Sequence, residues 1–281
     1  MTSDTLTLVN GEVGDSLPVS DRGLAYGDGL FETIQLLDGR PLLLEAHFAR
    51  LQRGCERLGI PFEDVLKPLR ADLARLRNEG TLQRFGVLKI LVTRGSGGRG
   101  YLPQPGLTPT RILMLSPRGS YSGDPAVQGV RVRICDLRLA HAPRLAGIKH
   151  LNRLEQVLAR AEWHDPDIRE GILLDQDDCL VEGTMSNLFW VRDRRLYTPR
   201  LDRCGVEGVV RNHLLARASH EGLEVEEGRY SLSALDAADE VLLCNSLIDI
   251  WPVVALDARC WSPGPLTRRL QRLLKEDYLA C

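Results

Sequence analysis

The sequence predicts two mixed α/β lobes, an α+β class rather than a purely parallel doubly wound sheet. Three observations predict it. Turn dipeptides at Asn10-Gly11 and Asp38-Gly39 join short strand-like runs into hairpins. Helix-period stretches are interleaved with these hairpins along the whole chain instead of being segregated. A polar stretch bearing glycine and proline, "RGSYSGDP", interrupts the pattern near the middle. The resulting division is a small N-terminal α/β domain over residues 1–116, a linker over 117–124, and a large C-terminal α/β domain over 125–281.

In order along the first domain, residues 5–10 and 12–19 form the opening hairpin. "GLFETIQLLDGRPLLL" gives two more strands about Asp38-Gly39. "LEAHFARLQRGCERLGI" has Ala46, Leu51, Cys55 and Leu58 spaced for one buried helical stripe. A second helix covers about 63–79, followed by the strands "GVLKILV" and "TRILMLSP". In the second domain "GVRVRICDL" is a strand. The helix after Lys149 places Leu151, Leu154, Val157, Leu158 and Ala161 on one face, with Asn152 and Glu155 spaced as a capping box. "EGILLDQDDCLVEGTMSNLFWV" is a strand, a turn at Asp177-Asp178, and a strand broken at Gly183. "GVEGVVRNHLLARASHEG" is a glycine-led helix, "DEVLLCNSLIDIWPVVALD" two strands about a polar break, and "RLQRLLKEDYLAC" a terminal helix.

Bulk properties exclude several classes. A net charge of −2 lacks the basic bias of a dedicated nucleic-acid binder. No apolar run approaches the roughly 18 residues of a membrane span, and the N-terminus lacks the charged and apolar regions of a secretory signal. Seven cysteines without a C-x-x-C pair fit reduced thiols in a cytoplasm, and neither a disulfide framework nor a metal site.

Lysine usage is the sharpest local signal. Lysine and arginine together number 36, and only Lys67, Lys89, Lys149 and Lys275 are lysines. Lysine alone of the two can lose its proton near neutral pH and act as nucleophile or base. Lys149, in "GIKHLNRLEQVLAR", precedes a helix start, whose dipole disfavours the ammonium, and it follows apolar Ile148. Such a lysine suits imine chemistry with a carbonyl cofactor. Lys89, within "GVLKILV", is a competing candidate. Chemistry of this kind also needs a carboxylate for the cofactor ring nitrogen, a phosphate cradle and substrate-orienting groups. Glu182 sits among apolar neighbours before Gly183. Gly205 and Gly208 in "GVEGVVR" lead a helix whose first amides, Val209 and Val210, could face a phosphate. Arg50 could add a cation.

Taken together and in this order, "SDRGLAYGDGLFETI", "EAHFARL", "GIKHLNRLEQ", "VEGTMSNLFWV", "GVEGVVR" and "DEVLLCNSL" resemble the pyridoxal-phosphate enzymes of fold type IV. That family holds branched-chain and D-amino-acid aminotransferases and aminodeoxychorismate lyases. The resemblance implies a small and a large domain with pyridoxal 5'-phosphate in the cleft between them, and a homodimer. It implies that Lys149 forms the imine and that Glu182 pairs with the pyridine nitrogen. Arg50, Val209, Val210 and Ser246 would bind the phosphate, with Val206 against the ring. "VTRGSGGRGY" and "AGIKHLNRLEQVLAR" are most similar to the lyase branch, which eliminates pyruvate from aminodeoxychorismate to leave 4-aminobenzoate. On that resemblance Tyr26, Phe31, Arg94, Arg99 and Tyr101 face the substrate. "EGTMSN" fits an aminotransferase equally well, which keeps D-amino-acid or branched-chain transamination as the alternative.

Overall fold

The computed structural model describes residues 5–280, which divide into two compact units. The first runs through Gly119 and also takes Ile148–Asn152; the second comprises Ser120–Gly147 and the chain from Arg153 onward. Residues 148–152, expected within the C-terminal domain, therefore cluster with the first unit.

The first unit contains β1 (Leu6–Val9), β2 (Glu12–Val13), α1 (Arg22–Tyr26), β3 (Gly29–Leu37), β4 (Arg40–Pro41), α2 (Leu44–Leu58), α3 (Glu63–Asn78), β5 (Val87–Thr93) and β6 (Thr110–Ser116). Its strands form one antiparallel sheet in the order β2-β1-β6-β5-β3-β4. Both hairpin signals hold for a backbone reason. Asn10, Gly11, Asp38 and Gly39 all have positive φ, the conformation whose twist matches two-residue hairpins. Leu30, Ile34, Leu88, Ile90, Leu113 and Leu115 are almost wholly buried. Each such side chain contributes about 1.5–3 kcal/mol by leaving water.

The stripe of α2 differs from expectation. Leu51 and Cys55 are buried, but Ala46 is exposed, and the remaining buried positions are His47, Phe48, Arg50 and Gly54. Counting apolar residues misplaced the face, because two polar residues on it are drawn inward by a carboxylate on β3.

The second unit contains α4 (Pro125–Gln128), β7 (Val130–Leu139), α5 (Leu154–Arg160), β8 (Ile168–Asp175), β9 (Leu180–Gly183), β10 (Asn187–Arg192) and β11 (Arg195–Pro199). It continues with α6 (Val209–His220), β12 (Val225–Gly228), β13 (Glu240–Asn245), β14 (Asp249–Leu256), β15 (Arg259–Cys260) and α7 (Pro265–Ala280). The path β10-β13-β14-β7-β8-β9 returns to β10 through the pair Glu182 and Asn187, closing a ring of strands. Both parallel and antiparallel pairs occur in it. Leu188, Trp190, Leu243, Trp251 and Val253 are among its core residues. Among the described residues no helix is long and apolar enough to cross a membrane.

Two expectations about α5 fail. Its N-cap is Arg153, with no side-chain cap bond. Asn152 Nδ2 instead donates to Gly27 O, and Glu155 Oε1 accepts from Ala140 N, so the capping-box pair is used elsewhere. The apolar stripe exists but faces outward: Leu154 is 76%, and Val157 and Leu158 are 60% exposed. Ala159, on the other side, packs with Cys135, Trp163 and Leu173.

Candidate active site

The chemistry of the first unit gathers around Lys149. Its segment lies beside β3: Phe31 N donates to Lys149 O at 2.9 Å, Leu151 N donates to Gly29 O at 3.0 Å, and His150 bridges Leu30. The lysine is thus fixed by backbone pairing with β3. Lys149 Nζ lies 4.5 Å from the centre of the Phe31 ring, and Lys89 Nζ lies 5.4 Å from the same ring. Both candidate lysines of the sequence therefore share one aromatic neighbour. Lys89 is half-buried on β5, opposite Thr33 of β3.

Next to them is a buried polar triad that the sequence did not suggest. Arg50 Nε and Nη2 donate to the two oxygens of Glu32 at 2.9 and 2.5 Å, and His47 Nδ1 donates to Glu32 Oε2 at 2.6 Å. Burial alone would raise the Glu32 carboxyl, but the Arg50 guanidinium and then His47 hold it down to about 2. Burial lowers the His47 pKa, which keeps the imidazole neutral; Glu32 opposes this, while the charges of Arg50 and Lys149 reinforce it. Arg50 thus stands in one electrostatic cluster with the lysine, clamped by a bidentate ion pair. The spacing of Glu32 on a buried strand and His47 and Arg50 three apart on a helix was the available signal.

The glycine-rich loop after β5 divides its expected roles. Arg94 is buried and donates to both oxygens of Asp28, to Leu58 O and to Gly59 O. Only one of its five N–H groups remains. Arg94 is consequently a brace of the loop, tying it to Asp28, Leu58 and Gly59. Arg22 makes a second brace, from Asp28 to the carbonyls of Gly100 and Tyr101. These bonds hold Tyr101 in edge contact with Tyr26, ring centres 5.5 Å apart. Arg99 and Tyr101 are exposed, and Tyr26 is close to the limit of exposure.

In the second unit Glu182 ends β9 and is buried. Its Oε2 accepts from Val206 N at 2.9 Å and, more loosely, from Asn187 Nδ2 at 3.5 Å. Asn187 also donates to Val206 O and accepts from Gly208 N, so one amide ties the carboxylate to the start of α6. Glycine is required at 208, because an added Cβ would lie 2.0 Å from Asn187 Oδ1. Val206 is buried and bridges Gly147, two residues ahead of Lys149. Burial lowers the pKa of Arg153, and the charges of Glu182 and then Glu155 oppose that shift.

The start of α6 has the makings of an anion cradle. Gly208 is its N-cap, no side chain caps it, and Val209 and Val210 supply the first amides. Ser246 lies in the turn between β13 and β14, where Asn245 Oδ1 accepts from Leu247 N and Ile248 N. His141, Asp175 and Asp177 could geometrically hold a cation, but the Arg229 guanidinium already lies 3.1 and 2.9 Å from the two carboxylates.

These groups fit pyridoxal phosphate on their own chemistry. A lysine is held through its backbone, a buried carboxylate can serve a pyridinium, and an uncapped helix start can serve a phosphate.

The family model for class IV amino-transferases matches residues 29–256. The chain is 37% identical over 268 residues to the aminodeoxychorismate lyase of Vibrio harveyi, covering 94% of this chain and 97% of that protein. It is 30% identical to a putative branched-chain-amino-acid aminotransferase of Methanocaldococcus jannaschii, covering 92% and 90% of the two chains. A crystal structure of 4-amino-4-deoxychorismate lyase from Pseudomonas aeruginosa matches with TM-score 0.90 at 50% identity, covering 97% of this chain and 99% of the other. With the family model spanning most of its length, the chain belongs to the class IV aminotransferase family.

Proposed function

We propose that the protein is a 4-amino-4-deoxychorismate lyase that uses pyridoxal 5'-phosphate to release pyruvate and leave 4-aminobenzoate, a step of folate biosynthesis. The full-length likeness to lyases of that name carries the reaction type. The bound cofactor supplies an electron sink that stabilises negative charge on the substrate carbon bearing the amine. The rest is the work of this chain.

With the cofactor bound, Lys149 would be the residue that carries it, and its neutral Nζ would take the proton from the amine-bearing ring carbon of the substrate. The electron pair would then expel the enolpyruvyl oxygen from the neighbouring carbon, the ring would become aromatic, and Lys149 would return the proton to the departing fragment. Glu182 would hold the pyridine nitrogen protonated and Val206 would pack on the ring. Arg50, the amides of Val209 and Val210, and Ser246 would hold the phosphate. Tyr26, Phe31, Arg99 and Tyr101 receive the substrate, with Arg94 and Arg22 fixing their loop. Lys89, beside the same Phe31 ring, adds positive charge suited to a dicarboxylate.

The test is 4-aminobenzoate formation from freshly generated aminodeoxychorismate with no 2-oxo acid present. Many turnovers are expected. A protein that makes no product, yet loses its colour with an amino acid and regains it with a 2-oxo acid, would be an aminotransferase.

We further propose a cytoplasmic homodimer. The six described cysteines Cys55, Cys135, Cys179, Cys204, Cys244 and Cys260 are free thiols, as suits a reducing compartment; Cys281 lies outside the described residues. The exposed stripe Leu154, Val157 and Leu158 is a helix face suited to burial against a second copy. Leu158→Glu should convert the dimer to monomer in size-exclusion chromatography with light scattering. An unchanged dimer mass would assign the contact to another face.

A further inference from the structure

Glu170, near the start of β8, is 1% exposed and has no place in the chemistry above. Its Oε1 accepts from Gly171 N at 2.9 Å, Thr184 N at 3.0 Å and Thr184 Oγ1 at 2.5 Å. Its Oε2 accepts from Met185 N at 3.2 Å and Ser186 Oγ at 2.8 Å. Every partner is a donor, the pattern of an acceptor-only carboxylate; burial raises its pKa, and the bonds from Thr184, Ser186, Gly171 and Met185 oppose that rise. The four residues whose groups it collects include the turn that joins β9 to β10.

That turn touches three parts of the proposed cofactor site. Glu182 lies just before it, separated by Gly183. An added Cβ at Gly183 would lie 2.4 Å from Ser186 Oγ and 2.9 Å from Glu170 Cδ, so there is no room to shift. Asn187 follows it and ties Glu182 to the start of α6. At its middle, Met185 O accepts from Asn245 Nδ2, and Asn245 shapes the turn that carries Ser246.

We infer that Glu170 is a positioning residue, whose single buried carboxylate sets the register of both the pyridine-side acid Glu182 and the phosphate-side turn of Ser246. The inference rests on the functional reading above. It depends on charge and acceptor number rather than volume. A glutamine would turn an NH2 toward either the Thr184 and Gly171 amides or the Met185 amide, and a backbone N–H cannot reverse to accept.

The test is titration of the cofactor-free chain with pyridoxal phosphate, read by visible absorbance and tryptophan fluorescence, with folding checked by circular dichroism. In folded Glu170→Gln the affinity should fall by about tenfold or more, and the pH midpoint of the bound cofactor's visible band should move. A role in structure alone would leave that midpoint in place. Wild-type affinity together with a wild-type midpoint would overturn the inference. If Glu170→Gln does not fold, Thr184→Val decides, since it removes the Oγ1 bond and keeps the shape. A weaker affinity or a moved midpoint at unchanged thermal stability supports the inference, and neither change defeats it. Failure of the wild-type chain to bind pyridoxal phosphate would instead refute the functional reading, before any variant is compared.

Discussion

Lys149→Ala should form no measurable 4-aminobenzoate, a loss of at least about a thousandfold. The variant should still fold. Lys149 is held by its carbonyl, which accepts from Phe31 N, and alanine keeps that bond. What disappears is the Nζ near the Phe31 ring, and with it both the covalent hold on the cofactor and the base. Lys149→Arg should be equally inactive, because a guanidinium neither forms the covalent link nor gives up its proton near neutral pH. Product can be followed by chromatography, with circular dichroism as the check on folding. Appreciable turnover by Lys149→Ala without added amines would sink the assignment. Recovery of part of the rate with a small primary amine would strengthen it.

Glu182→Gln is the second large effect. The side chain keeps its length, and its oxygen can still accept from Val206 N. The cofactor should therefore remain bound while the charge that holds the pyridine nitrogen protonated is gone. A fall in kcat of about a hundredfold or more is expected, with little change in KM, because the charge matters most as negative charge builds on the substrate carbon. Steady-state kinetics on the cofactor-loaded variant measures this. An undiminished kcat would remove Glu182 from its role. The variant also strips Arg153 of one of the two carboxylates that offset its burial.

Much of the fold was legible because its signals are local. Hairpins at Asn10-Gly11 and Asp38-Gly39 depend on two residues each, and both lie in the left-handed region that the turn requires. Strand and helix periods placed β3, α2, α3 and β13 within a few residues. The lysine stood out because arginine filled nearly every other basic position. Partnerships across the sequence were hidden. Glu32 with His47 and Arg50 looks like three solvated side chains until β3 and α2 meet. For Glu170 nothing local reveals that five donors, from Gly171 and a later turn, converge on it. The bracing bonds of Arg94 were hidden for the same reason: Leu58, Gly59 and Asp28, which bind it, are distant in sequence. Periodicity identified the α5 stripe but could not say that it faces outward.

The five residues Ile148–Asn152 have a consequence for how the molecule can be taken apart. They pair with β3, although the chain on both sides of them belongs to the other unit. A cut between Gly119 and Ser120 looks like a clean seam between modules. It would strand the reactive lysine on the wrong fragment and leave Gly29 and Phe31 with unanswered backbone groups. Recombination at that seam would have to carry this short loop across with the N-terminal half. The lysine is in effect on loan, and the two units have to be inherited together.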